Sequence, residues 1–230
     1  MKKFFFFAAA AIAALSMNAQ QITFTEADMD IEDLDGYVFN ADGFKLTCTD
    51  EAGKIVVDPN NCYFGDQLNQ VKFEYRLKTG GKSQTTSGKA NGLTLTAPKA
   101  GQLFVYARTG SNSATDRNVV ITQFGSELLN HVMLESEAIE VPGMDSDDPE
   151  KMTKVYPILT CNVSAGEVVI AYPVGSINFY GFSLGAPIAP TQGLEAQVAE
   201  PVKAAKRIVD GQVVIEKDGR LFNLLGAEIK

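Results

Sequence analysis

Between residues 20 and 185, short runs of apolar, β-branched and aromatic residues are broken again and again by Gly, Asn, Asp and Pro. That rhythm is the signature of an all-β sandwich or barrel. The clearest segment is 71–77, where Val71, Phe73, Tyr75 and Leu77 alternate with Lys72, Glu74 and Arg76. A period of two puts the apolar set on one face and the charged set on the other, which predicts a strand with one buried side. Further strands are predicted over 44–49, 93–96, 103–108, 119–122, 155–163, 168–172 and 177–184. Gly80-Gly81, Asn91-Gly92, Lys99-Ala100-Gly101 and the loop 110–116 supply turns between them. Residues 126–134 have mixed spacing and read as strand or loop, and the acidic stretch 28–35 reads as one short helical turn. The expected fold is all-β, an antiparallel jelly-roll β-sandwich followed by a linker and a small C-terminal β-meander.

The ends of the chain break this rhythm. Lys2 and Lys3 precede an uncharged run over 4–15, and the small residues Ser16 and Ala19 follow, the order of a secretory signal peptide cleaved after residue 19. The apolar run is shorter than the roughly 18 residues a membrane span needs, so no span is expected. The sandwich then covers 20–186. Over 187–205 the composition turns to Ala, Pro, Gln and Glu, with Pro187, Pro190 and Pro201, and reads as a linker. In the tail, 206–230, Asp210-Gly211 and Asp218-Gly219 bracket Val213, Val214 and Ile215 and precede Leu221 and Phe222, a hairpin pattern. A tail of this length is below the roughly 40 residues needed to bury a core unaided. It is expected to dock on the sandwich, pair with another protein or be recognised as a signal.

With 45% hydrophobic and 21% charged residues in 230, the chain can sustain one sizeable core. Its formal charge of -8 becomes -10 once Lys2 and Lys3 leave with the signal peptide. Without a basic surface to neutralise phosphates, nucleic acid is excluded as a partner. Export permits disulfides, but Cys48, Cys62 and Cys161 are odd in number, so one bridge at most forms. Cys48 and Cys161 sit in apolar-alternating stretches, and buried free thiols are expected. One His and no close Cys pair leave no zinc ligand set. The acidic groups Asp28, Asp30, Glu32, Asp33, Asp35 and Asp145, Asp147, Asp148, Glu150 lack the spacing of a calcium loop and read as solvated loops. No metal and no cofactor is expected.

An enzyme using His-assisted nucleophilic attack would have to use His131, and no nucleophile-elbow pattern accompanies it. Some close carboxylate pair is inevitable among 28 acidic residues, so abundance is no sign of glycosidase chemistry. A non-catalytic protein is expected. A sugar-binding face needs aromatic rings against sugar C–H surfaces and planar polar groups for hydroxyls. The candidates are Tyr63, Arg108, Asn112, Asp116, Arg117, Tyr172, Asn178 and Tyr180, mostly at strand ends or in the 110–117 loop. The same pattern also reads as architecture, with Tyr172 and Tyr180 as core aromatics and Asp116 and Arg117 pinning the loop. Zero Trp argues against a flat platform and for a small site.

Residues 93–97 (LTLTA), 103–107 (LFVYA), the loop 110–117 (GSNSATDR), 119–121 and the closing stretches 168–172 and 175–184 (GSINFYGFSL) follow one another in a distinctive order. In that order the chain resembles a β-sandwich module attached to secreted pectate-lyase-like and other polysaccharide-degrading proteins of Bacteroidetes. The resemblance implies a galactose-binding-like jelly roll and a role in glycan attachment, and it supplies no catalytic residue. The tail, KRIVDGQVVIEKDGRLFNLLGAEIK, resembles the C-terminal end of a type IX secretion sorting domain, with Phe222 where Tyr is commoner. The expected function is a secreted, non-catalytic module that binds polysaccharide or oligosaccharide at or near the bacterial cell surface. The alternative is a structural or protein-interaction domain of a surface assembly. A surface or secretion-machinery protein is the expected partner of the tail.

Overall fold

A computed structural model describes residues 20–84, 88–142, 150–190, 205–209, 212–217, 220–222 and 228–229. The expected signal peptide, most of the expected linker, both Asp-Gly turns of the tail, and Asp145, Asp147 and Asp148 lie outside the described residues. Two compact units divide the chain, Met1–Thr191 and Gln192–Lys230. In the first, the described strands are β1 (Gln20–Thr23), β2 (Val38–Ala41), β3 (Phe44–Asp50), β4 (Val56–Gly65), β5 (Gln70–Lys78), β6 (Asn91–Ala97) and β7 (Gly101–Thr109). They continue as β8 (Asn118–Gln123), β9 (Ser126–Val132), β10 (Ile139–Pro142), β11 (Met152–Tyr156), β12 (Leu159–Val163), β13 (Gly166–Ala171) and β14 (Ile177–Leu184). The second unit carries β15 (Ala205–Val209), β16 (Gln212–Lys217), β17 (Arg220–Phe222) and β18 (Glu228–Ile229), paired antiparallel in chain order as a meander.

The strands of the first unit form two sheets. The larger runs β10-β11-β4-β5-β14-β7-β12, with β1 also on β14, and the smaller runs β2-β3-β6-β13-β8-β9. Pairing is antiparallel except where β11 meets β4 in parallel, Val155 opposite Tyr63 and Tyr156 opposite Phe64. The apolar positions predicted by alternation fill the space between the sheets. Phe44, Leu46 and Cys48 of β3, Leu93 and Leu95 of β6, and Val168 and Ile170 of β13 meet Leu103, Val105 and Ala107 of β7 and Phe179 and Phe182 of β14 in one core. Interdigitated inner faces of two sheets are what hold a sandwich together.

The run 155–163, expected as one strand, is two: β11 and β12 lie toward opposite ends of the larger sheet. Pro157 falls in the gap, and proline cannot continue a sheet ladder. Residues 126–132 resolve as β9, and of the acidic stretch 28–35 only 28–30 are helical, as the end of a 3-10 segment, Glu26–Asp30, where Asp28 accepts from the Thr25 backbone N–H at 2.7 Å. Every residue of β14 is buried, the pattern of a strand covered on both faces rather than one. A second, aromatic-rich cluster provides the other cover: Phe64, Phe73, Tyr106, Tyr156, Tyr180, Val71 and Cys62, with Ile188 packed against it. A Cβ at Gly181 would lie 3.0 Å from the Phe73 ring and 3.1 Å from the Ile22 carbonyl oxygen, so glycine is what lets β14 sit beneath that cluster. The Ile188 N–H donates to Tyr106 Oη at 2.7 Å, so the start of the expected linker is seated on the sandwich.

Candidate functional site

Two bulges and one parallel pairing build a pocket over the second cluster. In β7, Leu103, Val105 and Ala107 join the main core while Tyr106 joins the aromatic cluster, so strand alternation puts Arg108 on the Tyr106 side. The β4–β5 register shifts between Pro59 and Cys62, and the β14–β7 register shifts between Phe179 and Gly181. Bulges re-aim side chains, and these two are tied together, since Tyr180 Oη donates to Asn60 Oδ1 at 2.6 Å. Parallel pairing of β11 with β4 then brings Lys154 and Tyr156 beside Asn61, Cys62 and Tyr63. The result is an open cavity of about 320 Å³ lined by those residues with Arg108, Asn112, Glu135 and Thr153. This is the small end of the roughly 300–1,000 Å³ range of ligand sites.

Its floor is a chain of polar contacts. The Arg108 guanidinium lies 5.2 Å from the centre of the Tyr156 ring, and its Nη1 donates to Tyr156 Oη at 2.8 Å. Tyr156 Oη in turn donates to Glu135 Oε1 at 2.8 Å, and Lys154 Nζ donates to the same oxygen at 2.9 Å. Arg108 itself makes no salt bridge among the described residues. Arg108 Nε and Glu135 Oε2 are shielded from solvent and have no hydrogen-bond partner in the protein. Gln20 Oε1, Asn118 Oδ1 and His131 Nε2, away from the pocket, share that state.

Burial pushes the Glu135 carboxyl up, but hydrogen bonds from Lys154 and Tyr156 and the charge of Arg108 outweigh it, so the group titrates below the usual carboxylate value. Burial drives the Tyr156 phenol well above its ordinary value and the Cys62 thiol up to about 11. Near neutrality the site thus holds an ionised carboxylate, a neutral phenol, a neutral thiol and two cations.

No family model and no curated protein matches this chain. Among solved structures, the chain is similar to one from work on the complexity of the Ruminococcus flavefaciens cellulosome and its expansion in glycan recognition. The two are 13% identical, the match covers 73% of this chain and 93% of that one, and the TM-score is 0.34. At that distance, what the pocket binds has to be argued from its own side chains.

The structure brings Tyr63, Arg108 and Asn112 together and leaves the other expected sugar contacts apart from them. Tyr172, Asn178 and Tyr180 are core side chains, exposed by 0%, 3% and 0%. A side chain without surface cannot meet a sugar, and Tyr172 is fully engaged, donating from Oη to Asn91 Oδ1 at 2.9 Å inside the sandwich. Arg117 donates to Ser176 and does not line the pocket, and Asp116 is exposed on the same loop. Asn61, Glu135, Lys154 and Tyr156 were not foreseen. The Asn60-Asn61 pair inside an otherwise strand-like stretch was the one sequence sign of the β4 bulge.

Elsewhere, His131 Nε2 lies 2.8 Å from Glu137 Oε1 but off the angle of a hydrogen bond, and among the described residues no serine or cysteine is paired with it. All three thiols are unbridged, Cys48 and Cys62 buried and Cys161 half-buried. Among the described residues no three His, Cys, Asp or Glu side chains gather as a metal site, and no helix is long and apolar enough to cross a membrane. A second depression, of about 290 Å³, lies along β1 and β2 and has Asp28 as its one charged side chain.

Proposed function

We propose that this protein is a secreted, non-catalytic carbohydrate-binding β-sandwich that works at or near the bacterial cell surface, and that its sugar site is the Arg108 pocket. The observation that carries the reading is an open cavity in which the Arg108 guanidinium, held against Tyr156, lies with the half-buried ring of Tyr63 and the exposed amides of Asn61 and Asn112. Donors, an acceptor and one aromatic face in a shallow site are what sugar hydroxyls and C–H surfaces require. In this reading residues 1–19 direct export, 20–186 bind the glycan, 187–205 connect and 206–230 are read by a surface or secretion partner. Affinity electrophoresis of the full chain through gels containing a panel of plant and host polysaccharides tests it. Retardation by at least one glycan class, weakened by Tyr63→Ala, is the expected result. No retardation by any glycan would contradict it and favour the protein-interaction reading, which the separate four-stranded sheet of the second unit supports.

A further inference from the structure

We infer that the sugar taken by this pocket carries a carboxylate, as in a uronic acid residue, and that Arg108 is the group that reads it. The inference rests on the carbohydrate reading above and deepens it. Three charged side chains line the cavity: Arg108, Lys154 and Glu135. Lys154 and Glu135 pair at 2.9 Å and cancel. Tyr156 and Cys62 are neutral. What remains is one positive charge, that of Arg108, in a chain whose formal charge is -8. Burial works against the charge of this half-buried guanidinium, but the groups around it, Tyr180, Tyr156, Cys62 and Glu135, outweigh that cost, so the site holds Arg108 firmly as a cation. Its one hydrogen bond among the described residues goes from Nη1 to a neutral phenol and its Nε is buried, so the Nη end of the fork is what faces a ligand in the cavity.

The planar fork of arginine matches a carboxylate in two parallel hydrogen bonds, a stronger and more directional contact than any it makes to a hydroxyl. Stacking on Tyr156 holds the fork in place, so little rotamer freedom is lost when the anion arrives. Glu135 lies on the same site, but its charge is offset by the pairing with Lys154. A single positive charge suits one uronate at a time. The overall acidity of the chain opposes long polyanions, whose further charges would meet a like-charged surface.

The test is calorimetric titration of the full chain with three disaccharides that differ at one carbon: a glucuronate-terminated one, its methyl ester, and its glucose-terminated counterpart. The acid is expected to bind at least about tenfold more tightly than the other two, with affinity falling several-fold between low and physiological salt as the charge contact is screened. Arg108→Lys keeps the charge but loses the fork, and is expected to remove most of the preference while the variant still melts cooperatively, at a somewhat lower temperature for the lost Tyr156 contacts. Because the three-ligand comparison needs only the wild-type chain, a misfolded variant does not blunt it. Equal affinity for all three would overturn the carboxylate assignment and leave the carbohydrate reading standing. Failure to bind the acid while a neutral polysaccharide retards the protein would also overturn it. No binding in either experiment would overturn both.

Discussion

Arg117, at the end of the 110–117 loop, donates from Nη1 to the carbonyl oxygen of Ser176 at 3.1 Å and to its hydroxyl at 2.9 Å. Gly110 and Gly175 close over it: a Cβ at Gly175 would lie 2.8 Å from Arg117 Nε, and one at Gly110 would lie 2.5 Å from Ser176 Oγ. Arg108, just before the same loop, donates to a tyrosine hydroxyl, stacks on the ring and leaves Nε unpartnered beside an open cavity. One arginine joins loop to turn through fixed protein acceptors. The other is oriented by protein but not satisfied by it. Charge and neighbourhood in sequence are shared, and what separates the two roles is what Nη1 meets and where: the carbonyl and hydroxyl of a turn residue in one, a tyrosine hydroxyl in an open cavity in the other.

Crowding the Arg117 side should produce the largest effect on stability. Gly110→Val places its Cβ against the Ser176 hydroxyl and, at 2.8 Å, against the Ser176 carbonyl oxygen, which cannot move without the β13–β14 turn. A loss of roughly 2–3 kcal/mol is expected from such overpacking, visible as a lower thermal midpoint. Arg117→Ala comes next. It leaves the Ser176 carbonyl without that donor and should cost about 1–2 kcal/mol, with retardation by glycan unchanged at temperatures where the variant is folded. Loss of glycan retardation in a normally melting Arg117→Ala protein would break the distinction between the two arginines.

Much of this architecture was legible in sequence because it rests on period two. The alternation of Val71, Phe73, Tyr75 and Leu77 and the inward triplet Phe44, Leu46 and Cys48 both announce strands, and both are strands. The pocket was legible only in part. Tyr63, Arg108 and Asn112 could be named as polar or aromatic groups near strand ends, but Lys154 and Tyr156 reach the site through the parallel β11–β4 pairing, which joins segments some ninety residues apart, and Glu135 comes from the short 3-10 segment Glu135–Glu137 and meets them there. No local pattern encodes that contact. Tyr180 misled for a related reason: in GSINFYGFSL it sits where alternation would turn it outward, yet the bulge in β14 and the aromatic cluster cover it.

Tyr180→Phe sharpens the comparison from the Arg108 side. It removes the donor to Asn60 Oδ1 and unties the two bulges, with an expected cost of about 1 kcal/mol. Retardation by glycan should weaken more than the change in melting predicts, because Asn61 next to the bulge lines the pocket. Acid should have the smallest effect. Glu135 titrates below the usual carboxylate value of 4.5 in the folded protein, so the stability it contributes is complete only above that value and is lost as pH falls through its folded value. A melting series across that range should show this decline in the wild type and less of it in Glu135→Gln.

An NMR titration of the full chain with a glycan that retards it in gels tests the central claim most directly. Amide shifts concentrated at Asn61, Tyr63, Arg108, Asn112 and Lys154, with Arg117 and Ser176 unmoved, are the predicted result. Shifts gathered instead along β1 and β2, or around Arg117, would contradict the assignment of the Arg108 pocket as the sugar site.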